Sequence, residues 1–244
     1  MAVNTESRVP AQYPVDCVGL ETIAQLPPMK ELVLSLQFDN NTLTDAVILN
    51  FTCFNNLKNL VIYNNKAVTG ATFHALPVSL ETFNCFGCSL VKEAITNITH
   101  LKDLKKLHLA DGNLAGAAFS KLSASIEIVS CILLGLTDDD VPSFSHLKKL
   151  KELTVDSNSG ITGATFKTLS PSLESLSCFS CDLIDAAITN ITHLKELRSF
   201  ILSANLRIRG TTFNHLSKTL EKLYSLSNAH TVAAIASLVH LKRL

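Results

Sequence analysis

The chain has 244 residues, 47% of them hydrophobic, with no net formal charge. That is ample apolar material for a continuous core, and the basic footprint of a nucleic-acid binder is missing. No run approaches the ~18 apolar residues of a membrane span; the longest candidate, residues 126–136, is short and holds Glu127.

Taken in order, residues 1–14 are polar, contain Pro10 and Pro14, and read as an irregular leader without the apolar core of a secretory signal. Residues 18–27 (VGLETIAQLP) align with residues 69–77 (TGATFHALP) further on. Residues 1–28 are therefore expected to be a leader plus a capping half-repeat, and residues 29–244 a repeat domain. From Val33 onward a leucine frame returns every 22 to 24 residues, in two alternating kinds of unit. One kind (A) opens at Val33, Leu80, Ile126, Leu173 and Leu220; the other (B) opens at Leu57, Leu104, Leu150, Leu197 and Leu244. Whole phrases recur four units on, at a lag of 93 residues. ETFNCFGC at 81–88 returns as ESLSCFSC at 174–181, AITNITHL at 94–101 returns at 187–194, and TGATF at 69–73 returns at 162–166.

The frame resembles the leucine-rich-repeat family, whose units read L-x-x-L-x-L-x-x-N/C-x-L. The resemblance covers roughly residues 18–244. Asn41, Asn65, Cys88, Asn158, Cys181, Asn205 and Asn228 stand at the N/C position, whereas Gly112 and Leu134 depart from it, so the polar ladder is expected to break there. The resemblance implies an α/β solenoid of about nine repeats, a curved horseshoe with a parallel sheet on the concave face and short helices on the convex face.

Each unit is expected to open with a short strand and to carry a brief helix on the outer face. Asp45, Asp138 and Asp185 suit helix starts in A units, by capping and by the helix dipole. Thr69 and Thr162 are the cap candidates in B units, and Pro77, Pro142 and Pro171 lie near helix boundaries. Nine or ten strands at about 4.8 Å spacing make a surface on the order of 45 Å long. Leu244 opens a further unit, and an uncapped end is expected to invite self-association.

Four groups tempt a chemical reading. Cys85-x-x-Cys88 and Cys178-x-x-Cys181 look like a zinc pair, but four repeats place them about 20 Å apart, and the frame already explains each cysteine. His100, His146, His193 and His240 recur before the leucine of an HLK-like phrase, about 10 Å apart, and are expected to hydrogen-bond locally in the turn into the next strand. Asn97-Ile98-Thr99 and Asn190-Ile191-Thr192, with Asn50-Phe51-Thr52, match glycosylation sequons and are read as accidents of composition. The residue after each opening leucine alternates in sign: Lys58, Glu81, Lys105, Glu127, Lys151, Glu174, Arg198, Glu221. Stacking sets each acid between two bases, and a slip by one unit sets like charges side by side. Neither a Ser/His/Asp arrangement nor a phosphate loop is present, so no catalytic residue, metal or cofactor is expected.

In the family, the outward strand positions of the concave face form the ligand surface. Here the middle row runs Gln37, Val61, Asn84, His108, Ser130, Thr154, Ser177, Ile201, Tyr224, and the next row runs Asp39, Tyr63, Phe86, Ala110, Ile132, Asp156, Phe179, Ser203, Leu226. Strand alternation turns these residues away from the core. Tyr63, Phe86, His108, Ile132, Asp156, Phe179 and Tyr224 are the expected partner-binding residues, the aromatics as anchors. The expected function is a non-enzymatic module that binds a protein partner. The alternative is the recognition part of a larger enzyme, such as a ubiquitin ligase, with its catalytic domain elsewhere. Near-copied units also resemble leucine-rich effectors of bacteria living inside host cells. The odd cysteine count favours a reducing, cytoplasmic location, in a host cell for such an effector.

Overall fold

The computed structural model describes residues 31–39 and 43–242. The expected leader and half-repeat at 1–28, together with Asn41 and Leu244, lie outside the described residues. Nine strands form one open parallel sheet in sequence order. They are β1 (Ser35–Phe38), β2 (Asn59–Tyr63), β3 (Thr82–Phe86), β4 (Lys106–Ala110), β5 (Ile128–Ile132), β6 (Glu152–Thr154), β7 (Ser175–Ser177), β8 (Ser199–Ile201) and β9 (Lys222–Tyr224).

Register follows the frame. Gln37 pairs with Val61, Val61 with Asn84, and the row continues through His108, Ser130, Thr154, Ser177 and Ile201 to Tyr224. On the other side of each strand the frame residues are buried, as with Leu60 and Ile62 or Leu107 and Leu109. Phenylalanines fill the space between the sheet and the outer turns: Phe73 meets Phe83 edge-on at 5.1 Å, and Phe119 meets Phe144 at 5.1 Å. Each fully buried ring contributes roughly 1.5–3 kcal/mol.

The outer face is less helical than expected. A units carry α1 (Asp45–Ile48), α2 (Glu93–Asn97), α3 (Ala186–Asn190) and α4 (Val232–Ala236), but the unit opening at Ile126 has only a 3₁₀ turn, Val141–Phe144. Every described B unit has just one 3₁₀ turn there, such as Phe73–Ala75 or Phe166–Thr168.

The three aspartates do not cap their own helices. Asp45 instead reaches 24 residues ahead, where its carboxylate accepts from Thr69 N at 3.1 Å, Gly70 N at 3.2 Å and Thr69 Oγ1 at 2.5 Å. Asp138 repeats this with Thr162 and Gly163, and Asp185 with Arg209 N, Gly210 N and Thr211 Oγ1. Thr69 and Thr162 are thus donors to an aspartate rather than helix caps. The main-chain carbonyl of each aspartate also accepts from Thr72, Thr165 or Thr212. Each A unit so equipped is fastened to the B unit after it. Hydrogen bonding to the charged form outweighs burial at Asp185 and holds its carboxyl below the usual value.

The remaining junction changes its chemistry consistently. Lys92 occupies the aspartate's place before the unit of Leu104, and Gly116 N donates forward to Asp140 Oδ1 at 2.6 Å instead. In three of the other A units the place of Asp140 holds an alanine, Ala94, Ala187 or Ala234, packed against the preceding glycine, and in the first it holds Val47.

The N/C ladder joins units from the inside. Asn158 Oδ1 accepts from Leu134 N and Leu136 N, while its Nδ2 donates to Cys131 O and Val155 O. Asn65 and Asn205 do the same for their predecessors. At Gly112 the side-chain rung is gone as expected. The backbones close the gap, with Asn113 N donating to Leu90 O at 3.2 Å.

One feature of the units from Leu57 onward escaped the frame. The residue that leaves each strand has a left-handed backbone: Asn64, Gly87, Asp111, Leu133, Ser157, Ser180, Ala204 and Ser227. Leu133, at φ 54° and 51% exposed, is the residue least suited to it. Leu133→Asn is expected to raise stability by about 1 kcal/mol in denaturant unfolding. A loss of stability would mean that packing of this side chain outweighs the backbone strain.

The charged edge forms in part. Glu81 lies between Lys58 at 3.0 Å and Lys105 at 2.7 Å, as the alternation requires. Further along, Lys151 meets Glu127 at 3.8 Å and Arg198 meets Glu221 at 3.1 Å, and among the described residues Glu174 has no ion pair. The lysines beside Glu81, Lys105 foremost, hold its carboxyl below the usual value, and the Lys105 ammonium is raised in return. These side chains are 33% to 55% exposed, so solvent screens the attraction.

Candidate functional site

The solvent face of the sheet carries the expected binding residues, in two groups. The first spans β2 to β4. Tyr63 and Phe86 stack at 5.5 Å with an 11° angle between ring planes, and His108 lies tilted at 6.4 Å from Phe86. Burial, helped by nearby Lys106 and opposed by Glu152, holds the His108 imidazole below its usual pKa. The ring is therefore neutral at pH 7 and packs as an aromatic.

The second group spans β7 to β9. Phe179, Ile201, Tyr224 and Leu226 line a shallow pocket with Ser203, Ala204 and Ser227. Phe179 is 45% exposed, Tyr224 49% and Leu226 74%. Side-chain acceptors fix this backbone: Asp156 Oδ1 accepts from Phe179 N at 2.8 Å and Ser177 Oγ at 2.6 Å, and Ser203 Oγ accepts from Leu226 N at 3.0 Å. Ile132 and Asp156, both half-buried, lie between the two groups.

Not every outward position is open. Ala110, Ser130, Ser177 and Ser203 are only 6–7% exposed. Such short side chains stay below the level of larger neighbours on adjacent strands, so alternation gives their direction but not their access. Ala204 and Ser227, on the left-handed row, line the pocket on the same face and were not among the expected residues. The repeated place of that row, one residue past the outermost strand position, was the available signal.

Of the twelve phenylalanines in the chain, ten have less than 2% of their surface exposed, and the two exceptions are Phe86 and Phe179. Both stand in the copied C-F-x-C phrase. The cysteines beside them belong to the interior. Cys85 lies on β3 and Cys178 just past β7, four strands away, so the two phrases do not meet. Burial pushes the thiols of Cys85 and Cys178 well up, and those of Cys131 and Cys181 to about 12. Cys88 is lowered instead, by a hydrogen bond from the Cys85 thiol.

The recurrent histidines join units rather than bonding only within a turn. Nε2 of His100, His146, His193 and His240 faces the carbonyl oxygens of Leu76, Leu122, Leu169 and Leu216, each 24 residues earlier. His146 and His240 add the expected local contact through Nδ1 to Ser143 O and Ser237 O. The sequon asparagines Asn97 and Asn190 likewise use Nδ2 to bind carbonyls of the preceding unit, Gly70 and Ala71 or Gly163 and Ala164. A glycan would have to take that nitrogen.

Comparison with solved structures matches this arrangement over nearly the whole chain. TLR13, in a complex with the RNA ssRNA13, superposes with a TM-score of 0.70 at 23% identity, covering 95% of this chain and 33% of that one. A Leptospira interrogans LRR protein gives 0.63 at 16% identity, covering 96% and 70%. The chain has the leucine-rich-repeat fold. An internalin (inlF) from Listeria monocytogenes follows at 0.54 and 15% identity, covering 91% and 75%. The chain spans about a third of the length of the TLR13 chain. No protein-family model and no curated protein matches the sequence. No helix among the described residues is long and apolar enough to cross a membrane.

Proposed function

We propose that this leucine-rich-repeat stack is a binding module that takes a partner protein on its concave face, without catalysing a reaction itself. The observation that carries this reading is the placement of phenylalanine. A fold that hides ten of twelve leaves Phe86 and Phe179 on the solvent side of the sheet, next to Tyr63 and Tyr224. Aromatic groups on an open face are the usual anchors of a protein interface. Tyr63, Phe86, His108, Ile132, Asp156, Phe179 and Tyr224 form the proposed contact set, and Leu226 and Ile201 join it from the pocket.

TLR13 was solved with an RNA. On the two outermost concave rows of this chain, by contrast, the charged residues among those described are all acids: Asp39, Asp111 and Asp156. Phosphate would be repelled there, which favours a protein ligand. A reduced, cytoplasmic location belongs to the same reading, supported by the free thiols of Cys85, Cys88, Cys131 and Cys178 in the core.

Phe179→Ala with Tyr224→Ala is expected to weaken capture of the partner at least about tenfold, with little change in the unfolding midpoint, because both side chains are half exposed. Binding retained at full strength by this double variant would discard the concave face as the site. Self-association is a separate proposal. Val232, Ile235 and Val239 on the last described unit are 87%, 62% and 83% exposed. Sedimentation at rising concentration should show association that Val239→Glu suppresses; a monomer at every concentration would end it.

A further inference from the structure

From β3 onward the large apolar residues of the outermost strand row fall on every second strand, Phe86 on β3, Ile132 on β5, then Phe179 and Leu226 beside β7 and β9, with Tyr63 on β2 stacked against the first of them. These belong to the A units from Leu80 onward (the first A unit has Asp39 there), and the B units between them supply Ala110, Asp156 and Ser203 at the same place. Two of those, Asp156 and Ser203, hold the main chain of the apolar residue that follows. The alternation of two repeat types therefore sets an apolar period of two strand spacings, about 9.6 Å.

That period selects among peptide conformations. A β-strand presents side chains on one face every ~6.7 Å. An α-helix returns to the same face after seven residues, about 10.5 Å, and overshoots the four anchors by roughly 3 Å. A polyproline II helix repeats every three residues, about 9.3 Å, and stays within roughly 1 Å over the same span. A ligand inside a curved sheet follows the shorter arc, which also favours the smaller value.

Two more observations point the same way. Polyproline II leaves its carbonyl groups without internal partners, and the face offers hydroxyl donors at Tyr63, Tyr224, Ser180 and Ser227. The charge on the two outermost rows is acidic only, and neither Asp111 nor Asp156 has a cationic partner among the described residues.

We propose that the concave face seats a proline-rich, basic segment of a partner protein in the polyproline II conformation, with an apolar side chain at every third position. This rests on the binding role proposed above and adds the chemistry of the ligand. The test uses the full chain and a fluorescent peptide of about a dozen residues. It has an apolar residue at every third position, prolines between them and one arginine. A control peptide of the same composition has its apolar residues at alternate positions.

The first peptide is expected to bind at least about tenfold more tightly than the control, and Phe179→Ala to weaken it about tenfold or more. Asp156→Asn keeps an acceptor for Phe179 N while removing the charge, and should weaken binding at low salt and flatten its salt dependence. Equal binding of the two peptides, or indifference to Phe179→Ala, overturns the proposal. A helical or alternating peptide selected from a random library, and lost with Phe179→Ala, overturns it while leaving the binding role intact. A library with no concave-face binder counts against both.

Discussion

Asn158→Ala lowers the free energy of unfolding by about 3–5 kcal/mol, measured by denaturant unfolding against the parent chain. The Asn158 side chain is fully buried. It accepts from Leu134 N at 3.1 Å and Leu136 N at 3.0 Å, and donates to Cys131 O and Val155 O at 2.8 Å each. Alanine removes the partner of Leu134 N, Leu136 N and Cys131 O in the core, while Val155 O keeps the Cys181 thiol at 3.2 Å, and each uncompensated group costs about 1–3 kcal/mol. The groups share one network, so the losses do not simply add. Cys181→Ala provides the contrast. It stands at the same frame position, but its sulfur makes one contact at 3.2 Å and a second, distant one at 3.9 Å. That change is expected to cost less than half as much. Equal losses at the two positions would show that volume rather than hydrogen bonding supports the ladder.

The second large effect is steric. Gly163 has φ 86°, and a Cβ there would lie 2.3 Å from Ala187 Cβ and 3.0 Å from Ala187 Cα. The strain cannot be relieved by a side-chain rotation, because the obstacle is the start of the next unit's helix, α3. Gly163→Ala should therefore cost about 3 kcal/mol or more, combining left-handed backbone strain with overpacking. Gly116→Ala isolates the backbone share. Its φ is 69°, but the nearest atom to its added Cβ is the flexible Lys92 Nζ at 3.9 Å. About 1 kcal/mol is expected there. Adding Ala187→Gly to Gly163→Ala should recover part of the loss, since it removes the closer contact. An unchanged double variant would mean that the clash lies elsewhere.

These two positions show which parts of the structure the sequence displays. The frame leucines repeat at fixed lags, and strand alternation then fixes their direction, so strand order and register can be read directly. The places of Asn158 and of the gaps at Gly112 and Leu134 follow from the same frame. Asp45, Asp138 and Asp185 were misread because a carboxylate before a short helix normally serves that helix. Their partners lie 24 residues ahead, and only stacking brings Thr69 or Thr162 to them. The histidines differ in the same way, since their carbonyl acceptors lie 24 residues back. The left-handed row was hidden because its residues share no chemistry: asparagine, glycine, aspartate, leucine, serine and alanine all occupy it. On the concave face the sequence indicates direction alone. Whether Ser130 is covered or Phe179 is open depends on the size of side chains on neighbouring strands, which no periodicity records.

The coupled change at Lys92 and Asp140 supports the same account. Where the aspartate before Gly116 is missing, the glycine N–H finds a carboxylate on the other side, and the alanine that would have met the glycine is the residue replaced. Each junction thus satisfies the same backbone group by one of two routes.

Distances between spin labels test the stacking of units most directly. Ser89, Asp182 and Ala229 occupy one position in three A units, four and then two strands apart. Genetically encoded labels at these sites should give about 19 Å for Ser89–Asp182, about 10 Å for Asp182–Ala229 and nearly their sum for the outer pair. An outer pair markedly closer than Ser89–Asp182, or Ser89 and Asp182 within a few ångströms of each other, would contradict a linear stack.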